Sequence, residues 1–495
     1  MNWTTEMRYL PYSKWSAKQL LDLQFQATNS KYQLQYHIRP TSGLLNDPNG
    51  FSFFNDKWHV FYQAYPFGPV HGVKSWVHLQ SDDLVHWQNL GVALEADTKF
   101  DSHGAYSGSA RVIDDKLFLM YTGNVRDQDW VRHPYQLGAW VDQNNQVTKL
   151  AKPLFGQSEH TTDHFRDPQL LKQDDTYYAL IGAQDKATLR GQVAVYASKD
   201  LQNWQDLGYL KFTDQDLGFM VECPSLVYVD HKPVLIFCPQ GVKPEVLACQ
   251  NIYPNAYVIG DNCDLATPSL NLNDETLHNL DDGFDVYASQ AFNAPDGQAY
   301  LISWVGLPEI EYPTDRENWA HCLSMVKKLS LKDGKLYQQP VTQMQSLRQN
   351  PQDLTTANPQ AGRQDLLKAW QNQYELNLTF PADCQATLHL AGSDDLATSL
   401  QLHFDTAAGK LTFDRGQTDE VFATEWQTTR SLDLPAHQAL KLQIFVDHSL
   451  CEIFVNDGAH VMTGRFFNFA KHTQISLTSE QKVGYTGKYW ELCQM

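Results

Sequence analysis

Several features that other classes of protein depend on are missing from this sequence. It contains no run of 18 apolar residues, the length that a transmembrane helix needs. Its 38 Lys and Arg residues are outnumbered by 57 Asp and Glu residues, which gives a net charge of −19. So acidic a chain lacks the broad basic face that nucleic acids and anionic membranes require, although a local basic pocket for one small anion remains compatible with it. We therefore expect neither a nucleic-acid nor a membrane partner.

Motifs for metals, nucleotides and secretion are missing as well. The eight cysteines form no CxxC motif, and none pairs with a histidine at zinc spacing. HExxH, the Walker loop and a GxGxxG motif after a strand do not occur. The first eight residues lack the basic and apolar regions of a signal peptide. Cysteines that stay reduced in a chain without a signal peptide predict a cytoplasmic location.

What the sequence does contain is a repeat. Residues 81–91 resemble residues 198–208, which lie 117 positions later. Five short apolar runs, each after a polar turn and a further strand-like stretch, end 59, 60, 56 and 66 residues apart, at Tyr62, Tyr121, Ile181, Phe237 and Ser303. Five all-β units of about 60 residues are typical of a five-bladed β-propeller. A β-sandwich or a solenoid with coincidental spacing is the alternative.

The pattern changes after the fifth unit. Residues 336–372 are rich in Gln, Pro and Asn and predict a linker running over the surface. Alternating apolar residues return in 373–495, where Asn456-Asp457-Gly458 predicts a hairpin turn, and indicate a β-sandwich. Residues 1–30, with a short helix over 16–25, predict a cap on the propeller of residues 31–335. The predicted fold is all-β: a five-bladed β-propeller followed by a C-terminal β-sandwich.

Three acidic residues occupy nearly the same place in three of the units. Asp47, Asp167 and Glu222 lie nine, eight and eight residues before the turn of their unit, and Ser107 and Ala288 hold that place in the other two. The innermost strands of a propeller line its central channel, so the three carboxylates should meet at the channel mouth. Like charges held together raise each other's pKa, which a fold accepts more readily when a function needs it. Glycoside hydrolysis needs such a pair, one nucleophile and one proton donor.

Other interpretations of these acids stay open at this point. Single acids of this kind are often turn or cap residues, and a metal site is a second possibility, although no dense Asp/Asn loop is present. The neighbours favour sugar binding: Asn46 supplies an amide, Arg166 directly precedes Asp167, and Gln63 lies near a strand end. Trp76 and Trp304 are candidates for stacking on a sugar ring, with plain core packing as the alternative.

These residues carry a family signature. Residues 45–50, Leu-Asn-Asp-Pro-Asn-Gly, resemble the WMNDPNG box of glycoside hydrolase family 32, the β-fructofuranosidases. Residues 166–168 and 222–224 match that family's RDP and ECP boxes, while 106–110 and 285–290 resemble FSGSA and DFYAxQ. The three acid boxes in this order are highly specific, and the likeness covers nearly the whole chain.

The resemblance implies a role for each acid. Asp47 would be the nucleophile that attacks C2 of a fructosyl unit, Glu222 the general acid and then the base, and Asp167 a stabiliser of the transition state through fructose hydroxyls. The β configuration would be retained, with the two reacting carboxyls about 5–5.5 Å apart. Glu222 would need a pKa raised by burial and by Asp47. No metal and no cofactor would be needed.

The resemblance also implies the substrate-binding residues. These are Leu44, Leu45, Asn46, Gln63, His71, Lys74, Trp76, Tyr106, Ser107, Arg166, Tyr287 and Trp304. Residues 68–76 resemble the GPxHGxKSW stretch of the bacterial branch that acts on sucrose-6-phosphate. We therefore expect cytosolic hydrolysis of sucrose-6-phosphate, of sucrose, or of both, by a monomer or homodimer, with Lys74 or His71 helping to place the phosphate.

Two departures from the family pattern bear on the substrate. Ala64 replaces an aromatic residue of the QYxP box, and residues 325–329 read Met-Val-Lys-Lys-Leu where LPREL is usual. Neither touches the three acids, but cleavage of short fructo-oligosaccharides or fructans stays open as an alternative. A non-catalytic sugar-binding propeller and an arabinan-type five-bladed hydrolase are the further alternatives.

Overall fold

The computed structural model describes residues 3–493, and its few helices are short. They are α1 Thr5–Arg8 and α2 Ala17–Thr28, with 3₁₀ turns at Tyr12–Lys14, Pro313–Glu317, Thr342–Leu347 and Thr424–Trp426. Helix α2 begins at the predicted place because Ser16 and Gln19 form a capping box, and it ends three residues later than expected. Among the described residues, no helix has the length and apolar character needed to cross a membrane.

Strands dominate the rest of the chain, which confirms the all-β prediction. Those before residue 341 are β1 Gly43–Phe54, β2 Lys57–Tyr65, β3 Ser75–Ser81, β4 Trp87–Leu94, β5 Ala105–Ile113, β6 Lys116–Arg126, β7 Arg132–Val141, β8 Val147–Lys149, β9 Phe155–Gly156, β10 Thr161–Gln173, β11 Thr176–Asp185, β12 Gly191–Ser198, β13 Gln205–Tyr209, β14 Met220–Val229, β15 Lys232–Gln240, β16 Ala256–Asp264, β17 Ser269–Leu272, β18 His278–Asn279, β19 Val286–Asn293, β20 Ala299–Val305, β21 Trp319–Ala320, β22 Cys322–Leu323, β23 Lys327–Lys332 and β24 Lys335–Pro340.

These strands form five sheets in chain order. The sheets contain β1–β4, β5–β9, β10–β13, β14–β18 and β19–β24, except that β21 leaves the last group and pairs in parallel with β1. Each sheet starts with an antiparallel hairpin, such as the one whose turn residues Asn55 and Asp56 have φ of 50° and 57°. The five first strands β1, β5, β10, β14 and β19 contact one another in that order, and β19 returns to β1.

In each of the five sheets, the regular pairing between the first and second strands is interrupted at a corresponding position of the first strand. The pairing with the second strand skips Asp47 in β1, residues 106–107 in β5, 167–168 in β10, 223–224 in β14 and 288–289 in β19. At these bulges Asp167, Cys223 and Ala288 adopt positive φ of 66°, 48° and 46°. A bulge redirects a side chain and tolerates a proline that a regular ladder excludes, which explains the prolines beside the three acids.

The C-terminal part forms two further sheets of six strands each. Its strands are β25 Arg348–Thr355, β26 Gly362–Lys368, β27 Gln373–Phe380, β28 Gln385–Gly392, β29 Leu400–Asp405, β30 Lys410–Asp414, β31 Thr429–Asp433, β32 Leu440–Asp447, β33 Leu450–Val455, β34 His460–Arg465, β35 Gln474–Ser479 and β36 Thr486–Leu492. The sheet orders are β25-β36-β27-β32-β33-β34 and β26-β35-β28-β29-β30-β31. A buried apolar cluster that includes Leu376, Leu388 and Ile444 fills this part of the molecule. The predicted turn at 456–458 joins β33 to β34.

The segment 336–372 differs from the surface linker that its composition predicted. Strand β24 completes the fifth sheet, while β25 and β26 are edge strands of the two C-terminal sheets. An edge strand is held by its backbone on one side and leaves many side chains in water, so a polar sequence suffices to form it. The boundaries of the predicted domains otherwise remain a prediction.

A group of fully buried charges joins the N-terminal segment, the fifth sheet and the C-terminal sheets. His37 Nδ1 lies 2.9 Å from Asp447 Oδ2, and His37 Nε2 lies 3.0 Å from Glu452 Oε1. Lys327 Nζ lies 3.0 Å from the other oxygen of Glu452. Burial alone lowers the pKa of His37, but hydrogen bonds and the charges of the two carboxylates raise it overall. The imidazole is thus held as a cation between two acids.

Candidate active site

The bulges of β1, β10 and β14 bring Asp47, Asp167 and Glu222 into one site. The backbone N–H of Cys223, next to Glu222, donates a hydrogen bond to Asp167 Oδ2 at 3.2 Å. Burial raises the pKa values of Asp47 and Asp167. The charge of Glu222 adds to the rise at Asp47, and the charges of Glu222 and Asp47 add to the rise at Asp167. The three acids that the repeat placed in register therefore share one electrostatic environment.

Asp47 is held by donors from three strands. Asn46 Nδ2 lies 3.0 Å from its Oδ1, while Gln63 Nε2 and Ser107 Oγ lie 3.1 Å and 2.5 Å from its Oδ2. Burial raises the pKa of Asp47, and the hydrogen bonds from Ser107 and Asn46 oppose that rise. Such donors fix the direction of the carboxylate, as a nucleophile requires.

Lys74 lies behind this arrangement and is buried. Its Nζ lies 2.5 Å from Asn46 Oδ1. Burial lowers the pKa of Lys74 to about 7, although the charge of Asp47 works against that shift. The side chain therefore does not project freely into solvent, and its ammonium group already serves a neighbour of the nucleophile.

Glu222 is bound through both of its oxygens. Arg166 Nε and Nη2 lie 2.8 Å and 2.5 Å from Oε1, while Gln240 Nε2 and the Tyr287 hydroxyl lie 2.7 Å and 2.5 Å from Oε2. The prediction of a raised pKa for Glu222 is wrong for this structure. Burial does raise it, but the charge of Arg166 and the hydrogen bond from Tyr287 lower it by more.

The pKa of Asp167 is shifted in the opposite direction to that of Glu222. Its pKa is raised to about 7 by burial, against the charge of Arg166 and with the help of Glu222 and Asp47. Its backbone N–H donates to Thr122 Oγ1 at 3.1 Å, which holds the bulge in the positive-φ conformation. Two adjacent carboxyl groups with pKa values moved in opposite directions are typical of acid–base sites.

The predicted binding residues fall into two groups. Those in contact with the acids are Asn46, Gln63, Ser107, Arg166 and Tyr287. Trp76 differs from the expectation of a sugar-stacking face, because its ring has no accessible surface and packs between Phe61 and Tyr121. Its Nε1 donates to the Tyr106 carbonyl at 3.1 Å, so it supports β5 from within the core. Leu45 likewise has no accessible surface, and Leu44 is buried.

Trp304 lies at the edge of the site. Its ring centroid is 6.1 Å from that of Tyr287, 6.1 Å from that of His71 and 5.2 Å from that of His321. Within residues 3–493, neither Trp304 Nε1 nor His71 Nε2 has a hydrogen-bond partner, although both are buried. Both polar atoms are thus available to a ligand hydroxyl.

Sequence reasoning missed two residues of the site, one that contacts an acid and one that contacts Arg166. Gln240 holds Glu222 from the end of β15, much as Gln63 holds Asp47 from near the end of β2. The sequence could have indicated this contact, because in both hairpins a glutamine lies at or near the end of the second strand. His164 Nδ1 lies 3.2 Å from Arg166 Nη1, and the sequence offered no sign of that contact.

Two cavities adjoin the site. One of about 310 Å³ runs along the five first strands below the acids and includes Asp167 in its wall. The other, of about 910 Å³, is lined by Leu44 and His71 and by Trp3 and Arg8 of the N-terminal segment. No cluster of metal-ligating side chains occurs in the described part of the chain.

Comparison with known families identifies an N-terminal and a C-terminal part of the chain separately. Residues 37–340 match the model described as glycosyl hydrolases family 32 N-terminal domain. Residues 343–491 match the model described as glycosyl hydrolases family 32 C terminal. Together the two models span almost the whole chain.

Named relatives agree with the family models. A sucrose-6-phosphate hydrolase of Pediococcus pentosaceus is 48% identical over 99% of this chain and 97% of that protein, and one of Lactococcus lactis is 45% identical over 99% and 100%. The solved structure of sucrose-6-phosphate hydrolase from Lactobacillus gasseri has a TM-score of 0.96 at 51% identity, covering 99% of both chains. A Bombyx mori β-fructofuranosidase of the same family, mutated and bound to sucrose, has a TM-score of 0.83 at 26% identity, covering 96% and 97%.

Proposed function

The chain belongs to glycosyl hydrolase family 32, and on that premise we propose that it removes the terminal β-D-fructofuranosyl unit of sucrose-6-phosphate, of sucrose, or of both, with retention of configuration. The observation that carries the proposal is the convergence of Asp47, Asp167 and Glu222 at three equivalent bulges. Relatives that span this chain end to end are sucrose-6-phosphate hydrolases, which supports the phosphorylated substrate.

The first step of the proposed reaction uses Asp47 and Glu222. Asp47 attacks C2 of the fructosyl unit, the bond from C2 to the leaving oxygen breaks, and Glu222 gives its proton to that oxygen. The neutral donors that bind the Asp47 carboxylate fix its orientation without cancelling its negative charge, so it can act as the nucleophile. The product of this step is a covalent fructosyl ester of Asp47 and a free leaving sugar.

The second step releases fructose. Glu222, now a carboxylate, takes a proton from water as that water attacks C2, and the ester bond to Asp47 breaks. Arg166 and Tyr287 stabilise the carboxylate form of Glu222, which suits this step. In the first step Glu222 must hold a proton, so the contact with Arg166 has to weaken as the leaving sugar comes in.

Asp167 takes the role of binding fructose hydroxyls. Its carboxylate can accept hydrogen bonds from them, and these strengthen as positive charge grows on the ring in the transition state. Its raised pKa means that near neutral pH it is only partly ionised before substrate arrives. Hydroxyl donors would favour the ionised form and so couple binding to loss of that proton.

The finer architecture and setting belong to the same proposal. The closed order of contacts among the five first strands supports a five-bladed β-propeller followed by a β-sandwich. Eight free cysteines, none joined in a disulfide, support a cytoplasmic enzyme that meets its sugar after import. A monomer or homodimer remains the expected form.

A substrate panel tests the proposal. Sucrose, sucrose-6-phosphate, 1-kestose and inulin would be incubated with the protein, and the product anomers followed by NMR at early times. We expect β-fructofuranose as the first fructose product and sucrose-6-phosphate as the preferred substrate. First appearance of the α anomer would overturn retention, and a preference for inulin or 1-kestose would replace the proposed substrate with a fructan.

A further inference from the structure

Three arginines beside the active site carry no counter-charge. Arg8 lies in α1, Arg126 ends β6 and Arg132 begins β7. Within residues 3–493, no carboxylate forms an ion pair with any of them, whereas Arg166, Arg316 and Arg415 each hold an acid. Without acidic partners in that range, these three side chains give a local positive charge to a chain whose net charge is −19.

Two of the three side chains also keep a buried hydrogen-bond donor free. The Nε atoms of Arg126 and Arg132 are buried and find no acceptor among the described residues. Arg8 donates through Nε to the His71 carbonyl, and Arg126 donates through Nη1 to the Trp130 carbonyl at 2.9 Å. A buried donor without an acceptor costs free energy, so an acceptor from outside the chain is expected there.

Aromatic rings pack between the arginines. We call the surface formed by Arg8, Arg126 and Arg132 the rim. The ring of Tyr9, next to Arg8, packs edge-on against Trp130 at 5.1 Å, and Arg126 lies over Trp130 at 5.7 Å. The Tyr106 hydroxyl accepts a hydrogen bond from Asn124, two residues before Arg126. The rim thus extends from Arg8 to Arg126.

The other end of the rim reaches the proton donor. Arg132 lies opposite Arg126 in the pairing of β6 with β7. Burial lowers the pKa of Arg132, and the charges of Arg166, which binds Glu222, and of Arg126 act in the same direction. Glu222 hands its proton to the oxygen of the departing sugar, so the rim lies on the side from which that sugar leaves. Lys74, the earlier candidate for an anion, is buried and bound to Asn46 instead.

The acidic residues near the rim do not neutralise its positive charge. Asp163 acts on Arg132 through its charge but forms no ion pair with it, and Asp127 is bound to His133 at 2.8 Å. His103 and His164 have pKa values lowered by burial, with the neighbouring arginine charges acting in the same direction. A ligand that brought negative charge would therefore meet several cationic donors and no strong local repulsion.

Resting on the function proposed above, we infer that Arg8, Arg126 and Arg132 form the site that binds the phosphate monoester of the leaving sugar. Guanidinium groups donate in pairs to phosphate oxygens, and three of them supply the fixed geometry that separates a phosphorylated from an unphosphorylated sugar. The rim is then the part of the protein that sets the preference for sucrose-6-phosphate over sucrose.

The test compares both substrates in single variants. Arg8→Gln, Arg126→Gln and Arg132→Gln are each expected to lower kcat/KM for sucrose-6-phosphate by about 10- to 100-fold, the worth of charged hydrogen bonds, while sucrose changes by less than about 3-fold. Arg→Lys variants at the same places, which keep the charge but lose the paired donors, should lie between. Arg190→Gln, whose side chain faces Asp216 elsewhere, is the matched control and should change neither substrate.

Binding of the product provides a second readout that does not need turnover. Glucose 6-phosphate should inhibit or bind the wild-type protein more tightly than glucose, and each rim variant should remove that advantage. Equal losses on both substrates, or an unchanged advantage of glucose 6-phosphate in all three variants, would overturn the inference and leave the proposed hydrolase intact. A wild-type protein that cleaves neither sugar but keeps the advantage of glucose 6-phosphate would refute the proposed function alone.

Discussion

Lys74 Nζ donates a hydrogen bond to Asn46 Oδ1, and this bond determines which end of the Asn46 amide faces Asp47. A lysine ammonium can only donate, so the amide oxygen must turn toward it and the amide nitrogen toward the carboxylate. Lys74 therefore orients the amide that holds the nucleophile.

Replacing Lys74 by Met should release the Asn46 amide. We expect Lys74→Met to lower kcat by about 10-fold or more through loss of orientation, equally on sucrose and sucrose-6-phosphate, with little change in KM. Steady-state kinetics on both sugars measures this. Lys57→Met, at a surface ion pair with Asp82, is the control and should keep wild-type kinetics. A loss confined to sucrose-6-phosphate would instead assign Lys74 to the phosphate.

Asp47→Asn should abolish turnover and keep binding. An amide of the same shape cannot form the fructosyl ester, so kcat should fall by at least about 10⁴-fold. Isothermal titration with sucrose-6-phosphate should still detect binding, because the other site residues are unchanged. Asp56→Asn, in the turn of the same hairpin, should stay active. Residual turnover of a tenth or more would remove Asp47 as nucleophile.

Tyr287→Phe should move the alkaline limb of the pH profile. The Tyr287 hydroxyl stabilises the carboxylate of Glu222 and so lowers the pKa of that group. Glu222 must be protonated to donate, so activity falls as pH rises through its pKa. Without the hydroxyl that pKa rises, and the alkaline limb of kcat/KM should shift to higher pH.

A neighbouring tyrosine supplies the control for this shift. Tyr253 packs against Tyr287 at 5.6 Å, but its hydroxyl donates to Glu309 at 2.7 Å. Tyr253→Phe should leave the alkaline limb where it is in the wild type. A limb that stays fixed in Tyr287→Phe, or moves to lower pH, would contradict the hydrogen bond's effect on Glu222.

His37→Gln should destabilise the protein in a pH-dependent way. Removing one partner of a buried ion pair costs about 3–5 kcal/mol, because the carboxylates of Asp447 and Glu452 stay buried. The pKa of His37 is raised above 6.5, so its contribution is complete below pH 6.5 and disappears as pH rises through the folded-state value. Glu452, with a pKa lowered to about 2, stays ionised throughout that range.

Thermal unfolding at several pH values measures this contribution. The difference in Tm between wild type and His37→Gln should be large at pH 6 and smaller at pH 9. His133→Gln, at an exposed pair with Asp127, should show little difference at either pH. A difference that grows with pH would mean that His37 is neutral in the folded protein.

The repeat in the sequence predicted the strands that matter most. Polar turns followed by apolar runs gave all five opening hairpins. Counting back from those turns put Asp47 and Asp167 within the shared ladder break and Glu222 directly before it. This succeeded because turn chemistry and strand alternation are local, and a repeat lets one unit check another.

The features that could not be predicted from the sequence depend on contacts between residues far apart in the chain. Nothing local distinguishes Trp76, which packs inside the core, from a tryptophan that faces a ligand. The lowered pKa of Glu222 arises from Arg166 of another sheet, 56 residues away in the chain. The polar strands β25 and β26 form because partner edges are available, which composition does not show.

The ladder break shared by all five opening strands has an evolutionary and a practical consequence. If the units arose by duplication, the local backbone geometry was copied five times, with a carboxylate inside the break in β1 and β10 and directly before it in β14. Ser107 became a donor to Asp47, and Ala288 kept a methyl group at a φ of 46°. Position 288 therefore has a backbone conformation like that of Asp167 and lines the same cavity of about 310 Å³, which makes it the place where a new functional group could be introduced by design.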